Sequence, residues 1–376
     1  MPTTPVLGMH KYQLDTPCLL LDIELLLQNL NTMQQHANIA GINLRPHSKT
    51  HKCSTLAKLQ LKYGAIGISV AKLSEAEVLV HQGISSILIT SPIVTPYKIK
   101  KLMELLNLAP ELMIVVDNKF NCDTLNMAAS QQQQKIKVLV DVNSGIGRTG
   151  VQIEHALELA QYVHNTPWLE LVGIQCYAGN LQHIQTYKVR KAQSTEIMEK
   201  ASQLLETCKN KGLPVTILTG GGTGTYDIDS LVSGVTEIQP GSYTVMDVEY
   251  TTLGSKENQT AFTAFQPSMT LLTSVISANQ STHVTVDAGT KGIYIDTVHQ
   301  PRIINQPELS YDWGGFGDEH GKITATSGAT LPVLGDVLEL VVPHCDPTIN
   351  LYDRFYITQH GHVIDVWEID MRGKSQ

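Results

Sequence analysis

Gly41-Ile42-Asn43-Leu44-Arg45-Pro46-His47-Ser48-Lys49-Thr50-His51-Lys52 is the stretch from which both the fold and the chemistry of this 376-residue chain are read. A short apolar run ends in a dense cluster of basic and imidazole groups. Pro46 removes a backbone donor and biases Arg45 to an extended conformation, so Lys49 is expected just past the end of a strand. Crowding by Arg45, His47, His51 and Lys52, together with any burial, disfavours the ammonium form. That lowers the lysine pKa toward a nucleophilic amine able to form a Schiff base with a carbonyl. The same cluster also reads as a basic surface loop.

Working outward, Thr16 to Asp22 reads as a strand and Ile23 to Ala37 as an amphipathic helix. Eight short apolar or β-branched runs then alternate with helical stretches: 43–47, 65–70, 86–90, 113–116, 137–142, 169–175, 215–218 and 236–239. This is the pattern of a (β/α)₈ TIM barrel, although a doubly wound sheet gives a similar string. The barrel is favoured because Lys49, Asn143 to Arg148, Tyr177, Gly220 to Gly224 and Gly241 to Tyr243 all follow strand ends, the face where such barrels build their sites. Beyond Thr251 the texture turns Thr/Val-rich over 270–277, 283–287 and 337–342, which predicts a mainly antiparallel β domain. The domain border is placed near Tyr250. Gln131 to Gln134 is expected to be a solvated loop.

Thr219-Gly220-Gly221-Gly222-Thr223-Gly224-Thr225 follows the seventh run, where backbone N–H groups can close on an anion and Thr223 and Thr225 can add hydroxyl donors. Gln239-Pro240-Gly241-Ser242-Tyr243 after the eighth run supplies a second such nest. Phosphate sites after the seventh and eighth strands recur in this barrel. Asp141 to Gly150 reads as a flexible turn able to aim Arg148 across the barrel mouth, or as a turn with an exposed arginine. In Pro343-His344-Cys345-Asp346-Pro347, His344 and Asp346 are two apart and fall on one side of an extended segment. Imidazole and carboxylate can then share one divalent ion in an open site. A solvated loop turning at Pro347 is the alternative. Asp318-Glu319-His320 is a second polar cluster, equally explained as an exposed loop.

Arg45-Pro-His-x-Lys-Thr-His-Lys52 resembles the pyridoxal 5'-phosphate lysine segment of the D-threonine aldolase and D-serine dehydratase-like family. These are fold-type III enzymes whose N-terminal domain is similar to that of alanine racemase. The resemblance runs over nearly the whole chain. It implies that Lys49 holds the cofactor, with His47 and Tyr177 nearby, Arg148 facing the pyridine nitrogen, and Gly221, Gly222, Thr223, Gly241, Ser242 and Tyr243 around the phosphate. His183 would lie near the substrate. Ala178 departs from the histidine found at this place in many relatives. The family pairs His-x-Cys with zinc and His-x-Asp with the aldolases and 3-hydroxyaspartate dehydratases. Here Asp346 would be the ligand and Cys345 would point away. A carboxylate in place of thiolate favours manganese or magnesium, with zinc as the alternative.

The implied architecture is an alanine-racemase-like (β/α)₈ barrel over 23–250 with a discontinuous β domain from 1–22 and 251–376. The implied reaction is cofactor- and metal-dependent retro-aldol cleavage of a D-β-hydroxy-α-amino acid to glycine and an aldehyde. His51, His183 or a metal-bound water would take the hydroxyl proton. A D-serine or D-threo-3-hydroxyaspartate dehydratase uses the same parts, and a non-catalytic pyridoxal phosphate carrier is a third reading, opposed by the segment after Thr251. A homodimer is implied, the β domain of one chain closing the barrel of the other.

Composition agrees with a large-cored enzyme: 42% hydrophobic and 16% charged residues, with a net charge of −8 and no Lys/Arg stripe, point away from nucleic acid. No apolar run is long enough to span a bilayer and the start lacks a signal-like core, so a cytoplasmic setting is expected. The six cysteines show no Cys-x-x-Cys pair and are expected as thiols.

Overall fold

The computed structural model of the chain describes residues 6–296 and 298–376. Two compact units are formed. One comprises 33–49, 56–241 and 374–376; the other comprises 1–32, 50–55 and 242–373. The borders therefore fall inside the helix Ile23–Ala40 and just before Ser242, rather than at the 22/23 and 250/251 positions read from the sequence.

The first unit holds, among the described residues, eight parallel strands: Asn43–Leu44, Ile68–Val70, Ile87–Ile89, Met113–Val116, Ile136–Asp141, Leu169–Cys176, Ile217–Gly220 and Glu237–Ile238. These are the eight runs predicted above. Hydrogen bonds link them in chain order from Ile68–Val70 round to Glu237–Ile238, which pairs with Asn43–Leu44. The ring closes through Ile66 N–H to Leu44 O, Ser69 N–H to Pro46 O and Ser48 N–H to Ser69 O. Ile68–Val70, Ile87–Ile89 and Met113–Val116 are buried throughout, as expected for parallel strands covered on both sides.

Helices between them start and stop on local signals. Thr95 caps Pro96–Leu106 by accepting from Lys98 N–H, with proline in the first turn, and Asn118 caps Lys119–Gln132 by accepting from Asn121 N–H. The glutamine run is only partly a loop: Gln131 and Gln132 continue the helix, and Gln133 ends it in the left-handed conformation at φ 51°.

In the second unit, Cys18–Asp22 lies between two partners. It pairs antiparallel with Met269–Ser277 and parallel with Arg354–Gln359, Leu20 standing opposite Thr270 on one side and Tyr356 on the other. The other pairings in this mixed sheet are antiparallel, including Met269–Ser277 with Val337–Val341 and Arg354–Gln359 with His362–Glu368. The six cysteines are buried and form no disulfide, as expected. Among the described residues no helix is long and apolar enough to cross a membrane.

Candidate functional site

A cavity of about 390 Å³ in the barrel unit is lined by, among others, His47, Lys49, Arg148, Gln175, Tyr177 and His183. Five of the residues predicted to hold cofactor or act on substrate are thus brought together. The route runs from Leu44 through the ring-closing backbone to Lys49, which is half-buried.

The reason given above for an activated lysine is corrected in part. Arg45 does not crowd it. Its Nε and Nη2 donate to Glu237 Oε1 and Oε2 at 2.9 and 3.1 Å, and Nη1 donates to Ser86 Oγ at 3.0 Å. Glu237 begins its strand and Ser86 precedes one, so the guanidinium points to the N-terminal ends of the barrel strands.

His47 does not contribute a like charge either. Its Nδ1 accepts from Lys49 N–H at 3.3 Å, and its Nε2 lies 3.1 Å from Thr90 Oγ1. The Thr90 hydroxyl donates to Val70 O. It must therefore accept from His47, which assigns the neutral Nε2–H tautomer.

Below this lies a buried amide and carboxyl network that the sequence reading missed. Gln175 Nε2 donates to Asp141 Oδ1 at 2.9 Å and to Thr90 O at 3.1 Å, while Gln239 Nε2 donates to Thr219 Oγ1 at 2.9 Å. Burial pushes the Asp141 carboxyl up to about 6, against the lowering effect of bonds from Gln175 and Thr149. Polar residues at strand ends were the available signal, but their mutual bonding is not periodic in sequence.

The loop carrying Arg148 is not the flexible turn expected. Asn143 Oδ1 accepts from both Gly145 and Gly147 N–H at 3.0 Å, and Asn143 N–H donates to Val151 O. This Asx-type closure holds the segment. The Arg148 guanidinium lies 5.6 Å from the centre of the Tyr177 ring.

The glycine loop is likewise built from within. Gly221 has φ +67°, where a side chain is strained, and a Cβ on Gly222 would meet Gln182 Oε1 at 2.6 Å. Gln182 Oε1 accepts from Gly224 N–H, and its Nε2 donates to Thr225 Oγ1. Thr225 in turn donates to Asp229 Oδ2 at 2.5 Å. The hydroxyl expected to serve an anion is therefore spent inside the loop, a correction for Thr225. Asp229 is fully enclosed, and burial pushes its carboxyl up to about 6. The loop adjoins the cavity through Gln239, whose N–H donates to Gly220 O.

Gly241 ends the barrel unit, and Ser242–Thr244 opens the other as a buried 3₁₀ turn. Tyr243 packs edge-on to Phe265 at 5.7 Å between ring centres. His51 also belongs to that second unit, completely buried, with Nδ1 accepting from Cys53 N–H at 3.1 Å.

The metal segment corrects another expectation. Residues 344–346 are not an extended run: His344 is extended, but Cys345–Ile349 is a helical turn, with Thr348 Oγ1 donating to His344 O. Proline suits a first helical turn and Asp346 is favoured by the positive end of the helix. Alternation no longer places the two side chains together, although the Asp346 charge acts on His344. Asp247 and Glu249, unmarked by the sequence reading, lie with Oδ2 and Oε2 at 3.1 and 3.3 Å from His344 Nδ1. Burial alone would lower the His344 pKa. The bond to Asp247 and the charges of Asp346, Asp247 and Glu249 override it and raise the pKa to about 9. Cys345 is fully buried, its Sγ 3.2 Å from Met246 O, and burial holds the thiol well above its ordinary range. An imidazole among carboxylates without thiolate fits an oxygen-preferring or borderline divalent ion. Asp318 and Glu319 pair with Lys291 on an exposed face, as a solvated loop requires.

The neutral His47, the amine of Lys49 and Arg148 line one cavity, and the glycine-rich loop after Gly220 adjoins it through Gln239; these residues together fit pyridoxal phosphate. Comparison with known proteins agrees with this. The alanine racemase N-terminal domain family matches residues 21–248, and a putative serine dehydratase domain matches residues 268–358. The chain is 37% identical to a D-threonine aldolase of Arthrobacter sp over 97% of this chain and 94% of that one. It is 32% identical to a 3-hydroxy-D-aspartate aldolase of Paracoccus denitrificans over 100% and 96%. The crystal structure of D-threonine aldolase from Filomicrobium marinum superposes with a TM-score of 0.91 at 32% identity, covering both chains completely. From the barrel, its lysine and these matches, the chain belongs to the D-threonine aldolase and D-serine dehydratase-like family, with an alanine-racemase-type N-terminal domain.

Proposed function

We propose that the protein is a D-threonine aldolase-type lyase that cleaves D-β-hydroxy-α-amino acids, D-threonine and D-3-hydroxyaspartate among them, to glycine and an aldehyde. The observation that carries this is the end-to-end identity with two aldolases, 37% and 32%, against 27% over 64% of the chain for a D-threo-3-hydroxyaspartate dehydratase. When bound, pyridoxal phosphate supplies an aldehyde and an electron sink, and a divalent cation supplies a Lewis acid.

Lys49 offers the primary amine at the cavity. His47, neutral, presents an uncharged ring and leaves the lysine free of a like charge from that side. Arg148, permanently cationic, withholds a proton from any pyridine nitrogen it faces. Gly221, Gly222, Thr223, Gly241 and Ser242 offer backbone and hydroxyl donors to a phosphate, and Tyr243 backs that turn. His344 and Asp346 hold the cation, manganese or magnesium before zinc. His183, exposed at the cavity, or His51 takes the proton of the β-hydroxyl. The match of a serine dehydratase domain to residues 268–358 weighs against a bare cofactor carrier. A homodimer acting in the cytoplasm completes the reading, and sedimentation velocity tests the dimer.

Purified protein with pyridoxal phosphate and Mn²⁺ is incubated with D-threonine, D-serine and D-3-hydroxyaspartate. Glycine is expected from the first and third, and a keto acid with ammonia would make the chain a dehydratase instead. Borohydride reduction followed by peptide mapping is expected to label Lys49, and label elsewhere would overturn the site.

A further inference from the structure

We infer that Asp247 is a positioning residue that fixes the His344 imidazole as an Nε2 donor, and that it is not itself a ligand of the cation. The inference rests on the reading of His344 as a metal ligand. Three side chains, Asp247, Glu249 and His344, could each turn one ligand atom toward a common ion, since those atoms lie within 4.8 Å of one another. The hydrogen bonds decide between that arrangement and another in which the ion sits on the far ring nitrogen.

The Asp247 side chain is fully buried, and both of its oxygens are occupied. Oδ1 accepts from Tyr250 N–H at 2.9 Å, capping the turn Val248–Thr251. Oδ2 accepts from Cys345 N–H at 2.9 Å and lies 3.1 Å from His344 Nδ1. Backbone bonds from Val248 to Val342 O and from Glu249 to Pro343 O tie the same two segments together. A carboxylate held by N–H groups from both segments has little freedom to swing onto an ion. Its remaining partner is a ring nitrogen that must then carry the proton. Glu249 Oε2, 3.3 Å away, accepts at the same nitrogen.

With Nδ1 protonated, the neutral ring has its lone pair on Nε2 alone. A carboxylate behind a ligating histidine sets the tautomer, orients the ring and raises its basicity. Removing such a partner typically weakens metal binding about 10–100-fold.

The full-length protein, stripped with chelator and reloaded with pyridoxal phosphate, is titrated with Mn²⁺ while free ion is read by electron paramagnetic resonance. Asp247→Asn is expected to weaken binding about 10–100-fold, whereas Glu249→Gln is expected to change it less than about threefold. ¹⁵N-histidine spectra of the Zn²⁺-loaded protein are expected to show His344 ligated at Nε2 with Nδ1–H retained. This readout does not respond to a general loss of stability. Ligation at Nδ1, or a Glu249→Gln loss as large as that of His344→Ala, would place the ion among the carboxylates and overturn the inference. Unchanged affinity in a folded Asp247→Asn protein would overturn it while leaving the metal reading intact. Unchanged affinity in His344→Ala would remove the metal reading and the inference with it.

Discussion

Replacing Arg45 with methionine tests whether the basic stretch is one chemical cluster or two separate devices. Arg45 and Glu237 have side-chain exposures of 5% and 3%, and their two bonds are short and parallel, with a third to Ser86. Removing the guanidinium leaves a buried carboxylate without its counter-charge, which costs about 3–5 kcal/mol. For a domain of about 200 residues that corresponds to a fall in melting temperature of roughly 6–20 °C, at ~2–4 °C per kcal/mol. Arg45→Met/Glu237→Leu removes both charges and restores packing, so it is expected to melt near the parent protein or above it. Thermal melts by circular dichroism with pyridoxal phosphate present measure all of these, and borohydride labelling reports on Lys49 in the same samples. A single variant that costs less than about 1 kcal/mol would mean that the pair behaves as a surface contact. A double variant that melts as low as the single, or that folds but no longer labels at Lys49, would refute the separation of strut from site.

Three further outcomes follow from the geometry. Gly222→Ala places a methyl 2.6 Å from Gln182 Oε1, so Gln182, which ties the loop together through Gly224 and Thr225, or the loop itself must shift; about tenfold weaker pyridoxal phosphate binding is expected by fluorescence quenching, and unchanged binding would separate this loop from the phosphate. In metal-free protein, His344 has a folded pKa raised from 6.5 to about 9, so its stabilising contribution is complete below pH 6.5 and is lost as pH rises through 9. The total is at most about 3 kcal/mol, and urea midpoints from pH 6 to 10 should fall less steeply in His344→Gln than in the parent. Cys345→Ala should leave Mn²⁺ affinity unchanged, because the buried thiol faces Met246 O, while Asp346→Ala should weaken it at least tenfold; equal losses would make the thiol a ligand.

Much of the barrel was legible from short range. Ile87–Ile89 and Met113–Val116 are apolar runs bounded by turn and helix signals, and these depend on neighbours within a few residues. The misreadings share one cause. Arg45 was assigned to the lysine beside it, yet its partner stands 192 positions away. Spacing alone reads residues 344–346 as extended, whereas Cys345–Ile349 forms a helical turn, with Thr348 Oγ1 donating to His344 O and the Cys345 N–H satisfied by Asp247. Asp247 and Glu249 look in sequence like an ordinary helix start, and the cap is real, but the same carboxylate also meets a histidine 97 positions on.

The order of strands and helices, the lysine after the first barrel strand and the glycines after the seventh were determined by sequence alone. Periodicity, proline and glycine act through local sterics, which the chain carries with it. Which acid meets which base, which tautomer His47 adopts, and which hydroxyls remain for a ligand were decided only by tertiary structure. A buried polar group takes whatever partner packing brings within about 3 Å, and that partner is not encoded at any fixed spacing.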